Sequence, residues 1–169
     1  MEYKKIHIIG GPGSGKTYCA KIISKRYNIS YYDLDNIFWE DTNSGYGVKK
    51  DKNKRDKELS NILKNDNYII EGVYYSWLKD SFKIADIVIV IKTSVYIRDF
   101  RIIKRFIKRK LGLLNSKKET LKDLYNLLKW NHQYDIKNMV NALAMINDLN
   151  ENIFYFNSSQ EVINEFVKN

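Results

Sequence analysis

The chain has 169 residues, 44% of them hydrophobic, and a formal net charge of +9. That length supports one domain with a real core, and the single cysteine, Cys19, excludes an intrachain disulfide, which fits a reducing compartment. No apolar run reaches a membrane span or the length of a signal peptide, so a cytoplasmic location without a membrane partner is the expectation.

In chain order, Lys4–Ile9 predicts a short strand, followed by a glycine-rich stretch and an amphipathic helix over Lys16–Tyr27. Ile29–Asp35 predicts a second strand. Residues 36–50 contain two glycines and show no clear period, so they read as a loop or small insertion. A polar helix is expected over Asp51–Asn65, a third strand over Asn67–Gly72 and a short helix over Trp77–Lys83. Asp86–Ile91 ends in an unbroken apolar run, as a strand buried on both faces should. Ser94–Leu111 predicts a strongly basic helix, 111–117 breaks it, and Lys118–Leu149 reads as one long helix or two. A fifth strand over Asn152–Phe156 and a serine-capped helix over Ser158–Lys168 complete the chain. Strands alternating with helices favour a parallel sheet covered on both faces, in a single domain spanning 1–169.

Four of the eight glycines fall within six residues, Gly10–Gly15. Gly10-Gly11-Pro12-Gly13-Ser14-Gly15-Lys16-Thr17 matches G-x-x-x-x-G-K-[ST], with a strand before it and a helix after it. A loop that turns backbone N–H groups around a phosphate needs unusual dihedrals and no obstructing side chains. The following helix adds its N-terminal partial charge. Nucleoside triphosphate binding by Gly11, Pro12, Gly13, Ser14, Gly15, Lys16, Thr17 and Tyr18 is the expectation, with Lys16 on the β- and γ-phosphates and the Thr17 hydroxyl on Mg²⁺.

Three acids fall at predicted strand ends: Asp33 and Asp35 in "YYDLD" and Glu71 in "YIIEG". In parallel α/β sheets those ends face the ligand crevice. Asp33 and Asp35 would share a side in extended chain, so one can serve the metal and the other the acceptor, unless one caps the segment that follows. Thr17, Asp33 and Glu71 are the candidate metal residues and Asp35 the candidate catalytic carboxylate. Asp86 precedes its strand and is not a candidate.

Six arginines occur, and four of them, Arg98, Arg101, Arg105 and Arg109, form one helical stripe, with Ile103, Phe106 and Ile107 expected on the other side. Arginine offers a flat, permanently charged fork for phosphate oxygens. Arg98, Arg101 and Arg105 are candidate catalytic residues beside Lys16, clamping the phosphoryl group in flight. The alternative is an exposed face that contacts nucleic acid. The net charge itself reads either as a lysine bias on solvated faces or as the mark of an anionic partner, whether nucleotide, nucleic acid or membrane surface. His7 and His132 read as structural, Cys19 as packing, and Trp39, Tyr74, Tyr75 and Trp77 as either pocket or core.

On the P-loop, "DLDNIFW", "IIEGVYYSW" and "IRDFRIIKRFIKRKLG", the chain resembles the P-loop kinases of the adenylate kinase and shikimate kinase type. Within them it is most similar to the adenylate-kinase-like proteins called DNA topology modulation or FlaR-related. The resemblance implies a three-layer P-loop NTPase sandwich with a five-stranded parallel sheet of order 2-3-1-4-5. It implies a substrate-side insertion at 36–66, a short lid at about 98–118, and a requirement for ATP and Mg²⁺. The implied activity is phosphotransfer to a small acceptor, a nucleotide among the candidates, by a monomer or homodimer. The rival reading is a nucleic-acid-binding or regulatory NTP-binding protein linked to DNA topology. Thr17 directly after Lys16 follows the shikimate-type pattern. Glu71-Gly72-Val73-Tyr74-Tyr75 departs from the Asp-Gly-Phe-Pro-Arg of adenylate kinases, so the resemblance does not extend to AMP as acceptor.

Overall fold

The computed structural model describes residues 3–40, 48–114 and 119–168. Five strands, β1 (Lys5–Gly10), β2 (Tyr31–Asp33), β3 (Tyr68–Gly72), β4 (Ile87–Ile91) and β5 (Ile153–Phe156), form one sheet of order β2-β3-β1-β4-β5. Every pairing is parallel. The helices are α1 (Lys16–Tyr27), α2 (Leu34–Phe38), α3 (Lys52–Leu63), α4 (Lys79–Ile84), α5 (Val95–Lys110), α6 (Leu121–Gln133), α7 (Val140–Leu149) and α8 (Ser159–Ile163). A π-helical segment, Tyr134–Met139, joins α6 to α7, and another, Asn164–Lys168, extends α8.

The pleat divides the apolar strands between two cores. Ile70, Val88 and Val90 face the α4/α7 side with Leu78, Phe82 and Ile146. Ile69, Ile87 and Ile89 face the α1/α8 side with Cys19, Ile23 and Val162. All five β4 side chains are essentially inaccessible, and each fully buried Ile or Val contributes roughly 1.5–3 kcal/mol. Asp86, at the entry to β4, accepts hydrogen bonds from the N–H groups of Lys4 and Lys5 (2.7 and 2.8 Å). It therefore pins the end of the sheet away from the glycine loop.

One expectation is corrected here. The second strand ends at Asp33, and Leu34–Phe38 is a helix rather than loop, because Asp33 caps it by accepting the Asp35 N–H (2.9 Å). Asp33 and Asp35 are thus a cap and a first-turn residue, not two residues of one extended chain. The lid expected at 98–118 begins inside the continuous helix α5, and its residues 115–118 lie outside the described residues, as do 41–47 of the 36–66 insertion. On α5, Ile103 and Ile107 lie away from the arginines and are 39% and 50% exposed, while Ile102 and Phe106 turn inward together with Arg98.

Candidate functional site

The glycine loop connects β1 to α1 at the carboxyl edge of the sheet. Gly13 and Gly15 have φ of +73° and +98°, a region costly for any side chain. Gly11 is required for another reason: a Cβ there would lie 1.5 Å from the Arg98 guanidinium. The loop is held from outside by Arg101, whose Nη1 donates to the Gly13 and Ser14 carbonyls (3.1 and 3.3 Å), and by the Thr93 hydroxyl, which donates to Ser14 O (3.3 Å).

Lys16 Nζ folds back to donate to Gly11 O at 3.1 Å. Burial lowers its pKa, opposed by the carboxylates of Glu71, Asp35 and Asp33. The next residue, Thr17, donates its hydroxyl to Glu71 Oε1 at 2.5 Å. Asp33 stands beside Glu71 in the β2–β3 register. Burial pushes Glu71 up to about 7, with Asp33 and Asp35 pushing the same way and Lys16 and the Thr17 hydrogen bond opposing. Asp33 is also raised, by burial and then by Asp35. Asp35 accepts from the Tyr74 hydroxyl at 2.6 Å. Burial, and then Asp35, push the Tyr74 phenol upward, so it stays a donor.

These groups share a cavity of about 1000 Å³. Pro12, Gly13, Gly15, Lys16 and Thr17 line its loop end, and Asp33, Asp35 and Glu71 form its acidic wall. At the other end Phe38 stacks on Tyr74 (ring centroids 4.6 Å apart), with Trp39 and Trp77 alongside. Arg101 and Arg105 form the basic wall. These aromatics line the cavity, and Tyr74, Tyr75 and Trp77 also pack against the core, while Arg55 lies over the Trp77 ring at 4.5 Å and is ion-paired to Asp56.

Some expected site residues lie elsewhere. Arg98 is 1% exposed and is absent from the cavity wall; it reaches behind the loop, where Nη2 donates to Asp135 Oδ2 at 2.5 Å. The structure thus places Arg98 behind the loop and not on the cavity wall with Arg101 and Arg105. Gly11 and Ser14 are buried within the loop, and Tyr18 is 55% exposed on α1, outside the cavity wall. Arg109 pairs with Glu119 at the far end of the arginine stripe. Cys19 is packed: its Sγ contacts Ser159 O at 3.3 Å, and burial pushes the thiol up to about 12. His7 is buried against Phe82, hydrogen-bonded to Ser81 Oγ, and lowered to about 3 by burial, so it is neutral. His132 ties α6 to α5 through Asp99 at 2.6 Å.

Sequence reasoning missed the wall opposite the sheet, formed by Glu119, Asp123, Leu127 and Trp130 of the α6 region with Asn138. The signal available was the reciprocal cap of Thr120 and Asp123, which fixes the start of α6. Nothing local shows that this helix covers the cavity.

A glycine loop on a 2-3-1-4-5 parallel sheet, with acids at the ends of β2 and β3, decides the fold family. The chain has the P-loop kinase fold, of the adenylate kinase and shikimate kinase type. A solved shikimate kinase from Acinetobacter baumannii in complex with shikimate superposes with a TM-score of 0.61, covering 99% of this chain and 94% of that one at 12% identity. By sequence, the chain is 38% identical to a cytidylate kinase of Sulfurisphaera tokodaii over 113 residues, 59% of this chain and 61% of that protein. It is 29% identical to a cytidylate kinase of Methanocaldococcus jannaschii over 140 residues, 70% of this chain and 78% of that protein. The match thus spans less than two thirds of the first of these relatives. No protein-family model matches the chain.

The donors at the acidic wall suit a hard divalent cation. Thr17 Oγ1 and Glu71 Oε1 already converge, with the Asp33 carboxylate next in register, and all are oxygens. Mg²⁺ characteristically takes one or two such protein oxygens together with phosphate and water.

Proposed function

We propose that this protein transfers the γ-phosphate of Mg-ATP to a small acceptor, with a nucleotide the class suggested by the relatives named cytidylate kinase. The observation that carries the reading is one cavity joining the Lys16 loop, the Thr17–Glu71–Asp33 oxygens and Arg101 and Arg105. The backbone N–H groups of the loop and Lys16 hold the phosphates. Thr17, Glu71 and Asp33 would hold Mg²⁺, which would neutralise phosphate charge when bound. Arg101 and Arg105 stabilise charge on the group in transfer. Asp35, fixed by Tyr74, orients the attacking group of an acceptor that rests on Phe38 and Trp77. Positioning and electrostatics are all this chemistry asks of the chain. A cytoplasmic location accords with a reaction that consumes ATP.

The test is ADP release from Mg-ATP across nucleoside monophosphates, hydroxylated metabolites and short DNA ends, with the wild type beside Lys16→Ala. Acceptor-dependent release that falls on the order of 10²–10³-fold in the variant is expected. Tight ATP binding with no acceptor-stimulated turnover would transfer the reading to a regulatory NTP-binding protein. Nucleic-acid affinity lost on Arg105→Ala with Arg109→Ala would mark its contact face.

A further inference from the structure

Helix α5 has a second surface, turned away from its arginines. Tyr96, Phe100, Ile103, Ile107 and the capping residue Leu111 are 77, 66, 39, 50 and 67% exposed. Their spacing places them within a sector of about 80° and along about 22 Å of helix. Leu113 and Leu114, 67% and 43% exposed, extend the apolar surface past the helix end. Exposed apolar strips of this length mark an interaction surface. Exposed Lys104 and Lys108 run along one flank and Lys110 stands on the other. Lys104 keeps its ammonium 6.0 Å from the Phe100 ring, so its stem lies along the strip.

We propose that this face of α5 docks on an anionic lipid surface. The helix would lie in the headgroup plane, its apolar side chains reaching the acyl boundary and its lysines extended to lipid phosphates. Charge selects this occupant. Lysines flank the strip on both sides in a chain of net charge +9, and the acidic residue of the helix, Asp99, is bound by Asn131 and His132. A second copy packed antiparallel on the strip would set its Lys104 against the first copy's Lys104. A nucleic acid would meet the apolar side chains on this face instead of arginines, since Arg98 is buried and Arg101, Arg105 and Arg109 lie on the opposite side of the helix. The contact is one of surface association: among the described residues no helix is long and apolar enough to cross a membrane. The proposal is independent of the phosphotransfer reading.

The experiment is co-sedimentation of the full chain with phosphatidylcholine vesicles, with and without a one-third share of phosphatidylglycerol, at about 0.15 M salt. The wild type should sediment with the anionic vesicles and not with the neutral ones. The double substitution Phe100→Ser with Ile107→Ser should lower partitioning by about tenfold or more, with circular dichroism confirming unchanged helix content. Raising the salt to about 1 M should release the protein from the anionic vesicles. A wild type that stays in the supernatant, or a double variant that binds as well as wild type, overturns the proposal. So does a wild-type dimer, seen by sedimentation equilibrium, that the double substitution converts to monomer without any vesicle binding, which would assign the face to a second copy.

Discussion

Glu71 is 2% exposed, lies beside two other carboxylates, and is pushed up to about 7 chiefly by burial. Its folded pKa lies above the unfolded one, so between about 4.5 and 7 the native state binds more protons than the unfolded state. Stability of the metal-free protein should therefore fall as pH rises through that window, by on the order of 3 kcal/mol from this group. Asp33, shifted in the same direction, adds to the fall. Urea unfolding in chelator at a series of pH values should show Glu71→Gln with a shallower pH slope and greater stability than wild type above pH 7. Equal slopes would remove the buried-carboxyl account. Tyr74 supplies a second residue-level expectation. Tyr74→Phe removes the 2.6 Å hydrogen bond to Asp35, a charge-assisted contact of roughly 1.5–3 kcal/mol. Acceptor turnover should drop by about tenfold or more while ATP affinity stays put; unchanged turnover would show that Asp35 needs no support from Tyr74.

At the scale of elements, Arg98 links three pieces of chain. Its guanidinium packs against Gly11 of the loop, pairs with Asp135 of the π-helical segment and lies 6.0 Å from the Tyr134 ring. The π-turn brings Tyr134 and Asp135 to it, a local widening of the kind that recurs at functional sites. Removing one partner of such a pair leaves a buried charge uncompensated, at a cost of roughly 3–5 kcal/mol when both partners are buried. Asp135 is 48% exposed, so Asp135→Ala should cost less than that, on the order of 1.5–3 kcal/mol. Arg98→Met, which removes the charge and keeps the volume, should cost less than Asp135→Ala. Denaturant midpoints compare the two directly, and the reverse order would refute the uncompensated-charge account. Gly13→Ala tests the loop itself. It combines a φ of +73° with a Cβ 2.9 Å from Arg98 O, and should cost on the order of 1–3 kcal/mol while abolishing nucleotide binding measured by calorimetry.

For the whole molecule, the cavity is lined by parts from both halves of the sequence. Gly13 and Lys16 meet Glu119, Trp130 and Asn138 across it. A ligand that fills it binds the native state alone, and at a hundredfold excess over Kd adds about 2.7 kcal/mol. For a chain of this length that is a rise in Tm of roughly 5–10 °C. Differential scanning fluorimetry with Mg-ATP should show this for wild type and not for Lys16→Ala. A shift of equal size in the variant would locate ATP binding away from the loop.

By itself the sequence determined the alternation of strands and helices, the glycine loop and the acids at the ends of β2 and β3. These are local: periodicity, backbone freedom and motif spacing act within a few residues, and β4, apolar at all five positions, could be read as a doubly covered strand. What it could not supply was direction. Four arginines on one stripe are legible, but Arg98 turns behind the loop and Arg101 and Arg105 reach the cavity wall because α6 and the π-helical segment pack against that side of α5. The same packing leaves Ile103 and Ile107 outside. Asp33 and Asp35 were legible as a pair, yet which one caps a helix and which meets Tyr74 depended on where β2 stopped. Only the tertiary structure decided these points, because side-chain direction follows from long-range contacts between elements far apart in sequence, and no local pattern records them.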